Sequence, residues 1–309
     1  AAALSTQYEK FEAPPQRTPF GLARVEAAGF VGRRRETQQL LRHLSGRAAH
    51  GGPRGVVVHG VGGIGKTTLV SRALDMLPAQ TAFVAVETYL TRDHLLAAMR
   101  VHPTLANRLG TSSATNDLAG LLRSTLDAAD RPVVFVLDNF ERNIPLDGPF
   151  AQPTPQATQT LAALIEALHT TGKRHRLVIT SRYVPDVPGV GELVQMPLDA
   201  LGAEHIQRKI DRLQGGDPLD DAKLALIRNL ARDNTRLLIN LFEIARDNPR
   251  LSIDDLRGRL VSYRGDFYDR LFLDQLLAGQ GEQDAALLAA LAPLRIPVSA
   301  LTLTRLSDP

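Results

Sequence analysis

A glycine-rich stretch that follows an apolar run is the part of this sequence best suited to chemistry. The run reads Val56-Val57-Val58-His59, and the stretch reads Gly60-Val61-Gly62-Gly63-Ile64-Gly65-Lys66-Thr67-Thr68. It fits the pattern G-x-x-x-x-G-K-[ST], in which backbone N–H groups surround phosphate oxygens. Lys66 is suited to bind β- and γ-phosphates, and the Thr67 hydroxyl to bind Mg²⁺. A plain glycine-rich turn is the alternative, but the preceding strand favours a phosphate loop that opens a helix.

A second chemical group is the carboxylate of Asp138, which ends the apolar run Val133–Leu137. Such a run predicts a strand buried on both faces, and ligands of α/β sheets bind at the carboxyl ends of strands. Asp138 is therefore the candidate to hold Mg²⁺ opposite Thr67, although an Asp at this place also suits a turn or a helix cap. Glu141 is a candidate to polarise the attacking water. Asn139 occupies the position where many ATP hydrolases have a carboxylate, so the identity of the base stays open.

Arg182 follows Leu177–Ser181, a third predicted buried strand, which ends in the polar residues Thr180 and Ser181. If this strand lies in the same sheet, Arg182 reaches the same edge and can contact a γ-phosphate. An ordinary surface arginine is the alternative.

The remaining pattern predicts an α/β fold with a parallel sheet followed by an all-α part. Strands are expected at 82–86 and 193–196 in addition to the three above, with helices at about 92–100, 116–129 and 157–171. From about residue 201, helices are expected at 201–214, 219–232, 235–247, 252–262, 266–277 and 283–292. We thus predict a linker or arm at 1–28, a nucleotide-binding domain at 29–198 and a helical domain at 199–280.

Composition limits the class of protein. The chain has 309 residues, no Cys and a formal charge of +3, which is too small to indicate a nucleic-acid surface. The sequence contains no apolar run long enough for a membrane span and no signal peptide, so we expect a cytoplasmic protein without membrane partners. Because residue 1 is Ala, we expect a fragment of a longer chain.

Taken in order, the motifs resemble those of the STAND class of signalling NTPases, which includes the NB-ARC proteins. Phe30-Val31-Gly32-Arg33 followed by Glu36 is similar to the class motif F-V-G-R-x-x-E, and Leu137–Glu141 to the form L-D-N-x-E. Thr180-Ser181-Arg182 is similar to the sensor-arginine motif. The resemblance implies that Val31, Gly32 and Arg33 lie on the adenine side of an ATP or ADP site. It also implies that residues 281–309 begin a winged-helix domain.

One departure from the class lies at Asp233-Asn234-Thr235-Arg236-Leu237-Leu238, where a G-x-P-L motif is usual and the proline is absent. We expect the segment from Asn234 to Leu238 to fold back over the adenine side.

The resemblance implies a switch in bacterial signalling or defence. ADP would hold the domains closed, and ATP would open them for self-association and activation of effector and sensor domains outside this sequence. Two alternatives stay open: a nucleotide-controlled DNA-binding transcriptional regulator and a constitutive AAA+ ATPase. Asn139 disfavours the last and predicts slow ATP hydrolysis.

Overall fold

The structure is a computed structural model. It describes residues 30–45, 52–87, 89–109, 117–145, 151–215, 219–232, 234–250 and 252–264. The predicted arm at 1–28, the helices at 266–277 and 283–292 and the winged-helix start lie outside these residues.

Five parallel strands form one sheet. Their bounds are β1 Gly55–His59, β2 Ala82–Val86, β3 Val133–Leu137, β4 Arg176–Ser181 and β5 Val194–Pro197. The strand order is β2-β3-β4-β1-β5, so the strand before the phosphate loop lies between β4 and β5. Every residue of β3 and β4 is buried, as expected for a parallel sheet with helices on both faces. The predicted P-loop NTPase-like α/β fold is confirmed.

Helices cover both faces of the sheet. One face carries α1 Arg34–Leu44 and α2 Lys66–Leu74, which pack through residues such as Leu40 and Leu69. The other face carries α3 Arg92–Arg100, α4 Pro103–Leu109, α5 Leu118–Ala128 and α6 Pro155–Thr170. The sequence analysis did not predict α4, a helix of seven residues whose first residue is proline.

A helical unit follows the sheet. Its helices are α7 Ala203–Leu213, α8 Asp221–Ala231, α9 Thr235–Arg246 and α10, residues 253–264. They share a core that includes Ile210, Ile227, Phe242 and Leu256. Asp220 and Asn234 cap α8 and α9, each accepting a backbone hydrogen bond three residues on, which explains where these helices begin.

Among the residues that the structure describes, no helix combines the length and the apolarity that crossing a bilayer requires.

A buried histidine, His175, links two segments at the end of the sheet where the strands begin. His175 is fully buried; its Nδ1 accepts from the Val133 backbone N–H at 3.1 Å, and its Nε2 donates to the Leu126 carbonyl at 3.0 Å. Burial lowers the pKa of His175 to about 4 from 6.5, and the nearby Lys173 charge acts in the same direction. The imidazole is therefore neutral in the folded protein at neutral pH.

We predict that His175 makes the fold sensitive to acid. Its folded-state pKa lies below the unfolded value, so the unfolded chain binds the proton more readily, and stability is lost as pH falls from about 6.5 towards 4. Between pH 7 and pH 5 the free energy of unfolding should fall by about 2 kcal/mol through this residue alone. Urea unfolding at pH 7 and pH 5 measures this free energy for wild type and for His175→Gln. Between the two pH values the variant should lose about 2 kcal/mol less than wild type. Equal losses would mean that His175 does not carry the effect.

Candidate functional site

The phosphate-loop residues lie at the carboxyl end of β1, where the sheet opens towards the helical unit. Gly60, Gly63 and Gly65 have φ angles of 147°, 78° and 99°, in the region that favours glycine. Lys66 begins α2 and is 6% exposed; its Nζ donates to the carbonyls of Gly60 at 2.8 Å and Val61 at 3.1 Å. The loop therefore holds a buried ammonium group at the N-terminus of a helix, an arrangement that suits anions.

Asp138 occupies the carboxyl end of β3 and is buried. The Thr67 hydroxyl donates to its Oδ1 at 2.9 Å, and the Thr180 hydroxyl donates to the same oxygen. Burial raises the pKa of Asp138, while hydrogen bonds from Thr180 and Thr67 and the charge of Lys66 act against that rise. The Thr67 hydroxyl and the Asp138 carboxylate thus supply two adjacent oxygen ligands of the kind that Mg²⁺ prefers.

Asn139 supports the same carboxylate and does not offer a second one. Its φ is 54°, which Asn tolerates better than most residues, and its Nδ2 donates to Asp138 Oδ2 at 3.1 Å. Its backbone N–H donates to the Thr180 hydroxyl at 2.9 Å. Thr180 therefore joins the ends of β3 and β4, a role that the sequence analysis did not assign to it.

Glu141 and Arg182 meet at the same edge. Arg182 Nε lies 3.3 Å from Glu141 Oε1, and the two side chains are 15% and 12% exposed. In the described part of the chain, Glu141 Oε2 is buried without a hydrogen-bond partner. Burial lowers the pKa of Lys66, and Glu141 is the strongest of the charges that oppose this, which places Glu141 within electrostatic reach of the phosphate loop.

The resemblance assigns Val31, Gly32 and Arg33 to the adenine side. In the structure, α7 packs against this segment. Gly32 has a φ of 72°, a backbone conformation that favours glycine, and a Cβ there would lie 2.9 Å from His205 Cδ2, so a larger residue would force His205 to shift. Arg33 is buried; its Nη1 bonds Glu36 Oε1 at 3.0 Å, and its Nη2 donates to the Asp199 carbonyl. Val31 is buried as well.

The segment from Asn234 to Leu238 folds back onto the phosphate loop, and its expected position over the adenine side stays a prediction. Asn234 Nδ2 donates to the Gly62 carbonyl at 3.1 Å, and the Arg236 backbone N–H donates to the Gly63 carbonyl at 3.2 Å. A Cβ at Gly63 would lie 2.5 Å from Asn234 Oδ1. This segment therefore lies on the phosphate loop, while α7 packs against Phe30 and Gly32.

The predicted site residues thus gather in two groups. Gly60, Gly62, Gly63, Ile64, Gly65, Lys66, Thr67 and Thr68 form the loop and the helix start, and Asp138, Glu141 and Arg182 lie at the neighbouring strand ends. Val31, Gly32 and Arg33 form the second group, against α7 and the residues before it. The sequence analysis missed His205 and the loop contact of Arg236, because both arise only when the helical unit packs against the sheet.

The arrangement fits a nucleotide with Mg²⁺. The loop has positive-φ glycines, a buried cation and a helix N-terminus for phosphates, and the Thr67 and Asp138 oxygens are hard ligands for Mg²⁺.

Comparisons with known proteins agree with this geometry. Residues 29–179 match the family model of an AAA ATPase domain. No curated protein gives a match to the sequence.

Three solved structures share the fold at low sequence identity. The Walker-type ATPase PABY2304 of Pyrococcus abyssi has 12% identity and a TM-score of 0.56, with 96% of this chain and 91% of that chain covered. The STAND protein PH0952 of Pyrococcus horikoshii, which has a tetratricopeptide repeat sensor, has 16% identity and a TM-score of 0.50, with 96% and 39% covered. Cdc6p of Pyrobaculum aerophilum has 18% identity and a TM-score of 0.51, with 78% and 66% covered. Residues 29–179, just under half of the chain, are thus similar to AAA ATPase domains, and the chain spans about two fifths of the STAND protein's length.

We predict that Thr180→Val destabilises the protein by about 1–3 kcal/mol. The hydroxyl is fully buried, and its removal takes a donor from Asp138 and an acceptor from the Asn139 amide. Thr160→Val is the matched control, because the buried Thr160 hydroxyl bonds only the Gln156 carbonyl within its own helix. Urea unfolding measures both variants. Equal losses would mean that Thr180 contributes no more than an ordinary helical threonine.

Proposed function

We propose that this chain is an ATP/ADP-binding regulatory switch of the STAND class in bacterial signalling or defence. In this proposal the switch controls self-association and the activation of an attached effector. One observation carries the proposal: the start of α9 bonds the backbone of the phosphate loop, through Asn234 to Gly62 and through Arg236 to Gly63. The helical unit is thereby sensitive to the conformation of the loop that binds phosphates.

In this proposal the two halves of the site have distinct tasks. Lys66 and the loop amides bind the β- and γ-phosphates, and Thr67 and Asp138 hold Mg²⁺, which neutralises charge on the phosphates when bound. Glu141 and Arg182 act together. Arg182 contacts the γ-phosphate in place of Glu141 Oε1, and the second Glu141 oxygen orients a water molecule.

Slow hydrolysis follows from the surroundings of Asn139. An amide cannot accept a proton from water, and here the amide nitrogen bonds Asp138. Glu141 serves as the base only when it is released from Arg182. We therefore expect turnover well below the roughly 10 s⁻¹ of an average enzyme, which leaves the ATP state time to assemble.

The switch requires that ATP and ADP differ in their preference for the two domain arrangements, because a ligand that binds both equally shifts nothing. Arg182 supplies such a difference, since its partner changes only when a γ-phosphate is bound. The loop contacts of Asn234 and Arg236 then pass the change to the helical unit.

We predict that Lys66→Ala weakens ATP and ADP binding by at least about 100-fold, because it removes the buried cation that would bond two phosphates. Equilibrium binding of fluorescent ATP and ADP with Mg²⁺ measures the loss. Lys223→Ala, which removes a lysine from α8 that bonds Asp220 and the Pro249 carbonyl, should bind as wild type. Unchanged affinity in Lys66→Ala, with wild-type thermal stability, would disprove a phosphate site at this loop.

We predict that Asn234→Asp releases the helical unit from the loop. The change keeps the oxygen that caps α9 but replaces the donor to Gly62 by a carboxylate that repels the carbonyl. Amide hydrogen exchange of residues 234–238 and 60–66 should accelerate by about tenfold or more, and the difference between the ATP and ADP forms should shrink.

The control for this experiment is Asp220→Asn, the reverse change at the cap of α8, where Asp220 accepts from the Lys223 backbone N–H at 2.8 Å. It should leave exchange at both segments unaltered. If Asn234→Asp likewise keeps the wild-type difference between nucleotides, these contacts do not couple the two domains.

A further inference from the structure

The segment that carries Glu141 is a short 3₁₀ helix, Phe140–Asn143, which begins two residues after Asp138. Helices of this kind have poor hydrogen-bond geometry and occur only in short pieces. Asn139, the residue before this helix, has a φ of 54° and gives it no side-chain cap. The position of Glu141 therefore depends on bonds from elsewhere.

Asn143, the last residue of this 3₁₀ helix, makes those bonds. It is 2% exposed; its Nδ2 donates to the Phe140 carbonyl at 3.1 Å, and its Oδ1 accepts from the Leu90 backbone N–H at 2.6 Å. Its backbone carbonyl accepts from the Thr154 N–H at 2.8 Å. Asn143 thus closes the turn around Glu141 and ties it both to the segment between β2 and α3 and to the start of α6.

The turn holds a carboxylate with one paired and one unpaired oxygen. Glu141 Oε1 lies 3.3 Å from Arg182 Nε, while Oε2 is buried and has no hydrogen-bond partner among the described residues. Burying a polar oxygen without a partner is costly, so a turn that could move freely would expose this oxygen to water. The bonds of Asn143 oppose that movement.

We propose that Asn143 is a positioning residue for ATP hydrolysis, which holds the turn so that Glu141 Oε2 stays where it orients the attacking water. This inference rests on the proposed function, in which Glu141 has that task. It adds the residue that sets the position of Glu141. Small displacements of a group that orients a reactant lower the rate strongly, even when the altered residue does not touch the reactant.

Steady-state hydrolysis of radiolabelled ATP with Mg²⁺, followed over hours to detect slow turnover, tests the inference in wild type, Asn143→Ala, Glu141→Gln and the double variant. Glu141→Gln should lower kcat by about 100-fold, and Asn143→Ala by about tenfold or more, with KM and ADP affinity changed by less than about threefold. In the Glu141→Gln background, Asn143→Ala should lower kcat by less than about twofold further, because no carboxylate is left to position. A general loss of structure would lower the rate equally in both backgrounds.

Asn248→Ala is the matched control. Asn248 Nδ2 likewise donates to a carbonyl of its own helix, that of Ile244 at 2.7 Å, and its Oδ1 accepts from Arg259 Nη1 at 2.8 Å. Asn248 lies beyond the end of α9 that is remote from the phosphate loop, so kcat and KM should match wild type. Thermal unfolding with and without ADP verifies the fold of each variant, and Asn143→Ser replaces Asn143→Ala if the latter does not fold.

Other outcomes overturn the inference. Wild-type kcat in Asn143→Ala, or an equal loss in both backgrounds, would show that Asn143 does not act through Glu141, while the proposed function stands. If neither variant at position 143 folds, Asn143 has a structural role only. If Glu141→Gln keeps the wild-type kcat, or if the wild-type protein does not hydrolyse ATP, the proposed task of Glu141 fails, and the inference fails with it.

Discussion

The structure of the site depends on how one buried carboxylate is held. Asp138 accepts hydrogen bonds from Thr67 at the start of α2, from Thr180 at the end of β4 and from the side chain of Asn139. These bonds join three segments that are far apart in the sequence. A buried carboxylate without them would cost several kcal/mol, so the strand ends are fixed in register by the need to satisfy it. The same bonds set the spacing between the proposed Mg²⁺ ligands and the phosphate loop.

The parallel sheet also separates charge between its two edges. Helix N-termini point towards the phosphate loop, and helix C-termini collect at the opposite edge, where cations bond their last carbonyl groups. Arg54 donates to the Thr171 and Lys173 carbonyls, Lys173 to the Ala129 carbonyl and Arg176 to the His43 carbonyl. The arginines and lysines near His175 are therefore explained by their hydrogen bonds to carbonyl groups. The opposite end of the sheet, at the phosphate loop, has helix N-termini that favour anions.

The sequence predicts the parts of this structure that depend on local pattern. The strand-loop-helix unit at Gly60 to Thr68 and the buried strands before Asp138 and Arg182 can be recognised because each motif is continuous in the chain. The short helix α4 was missed because its seven residues carry too little apolar periodicity to stand out. The placement of Asn234 on Gly62 depends on how the core around Ile210 and Phe242 packs, which no local pattern encodes. For the same reason, the contact of Arg236 with Gly63 could not be predicted from the sequence.

Individual hydrogen bonds between the helical unit and the P-loop domain are weak enough to be reversible. Among the described residues, Asn234, Arg236 and Arg212 each give one hydrogen bond across this boundary, and at about 0.5–1.5 kcal/mol each these three contribute roughly 2–4 kcal/mol, in addition to the bond from Arg33 to the Asp199 carbonyl. Moving a two-state equilibrium from 1:99 to 99:1 requires about 5.5 kcal/mol. In the proposed switch, hydrogen bonds of this strength would bias the closed arrangement without locking it. In the proposed switch, a nucleotide whose affinities for the two arrangements differ by a few kcal/mol would be enough to decide between them, because the hydrogen bonds that it reinforces or replaces are of the same size.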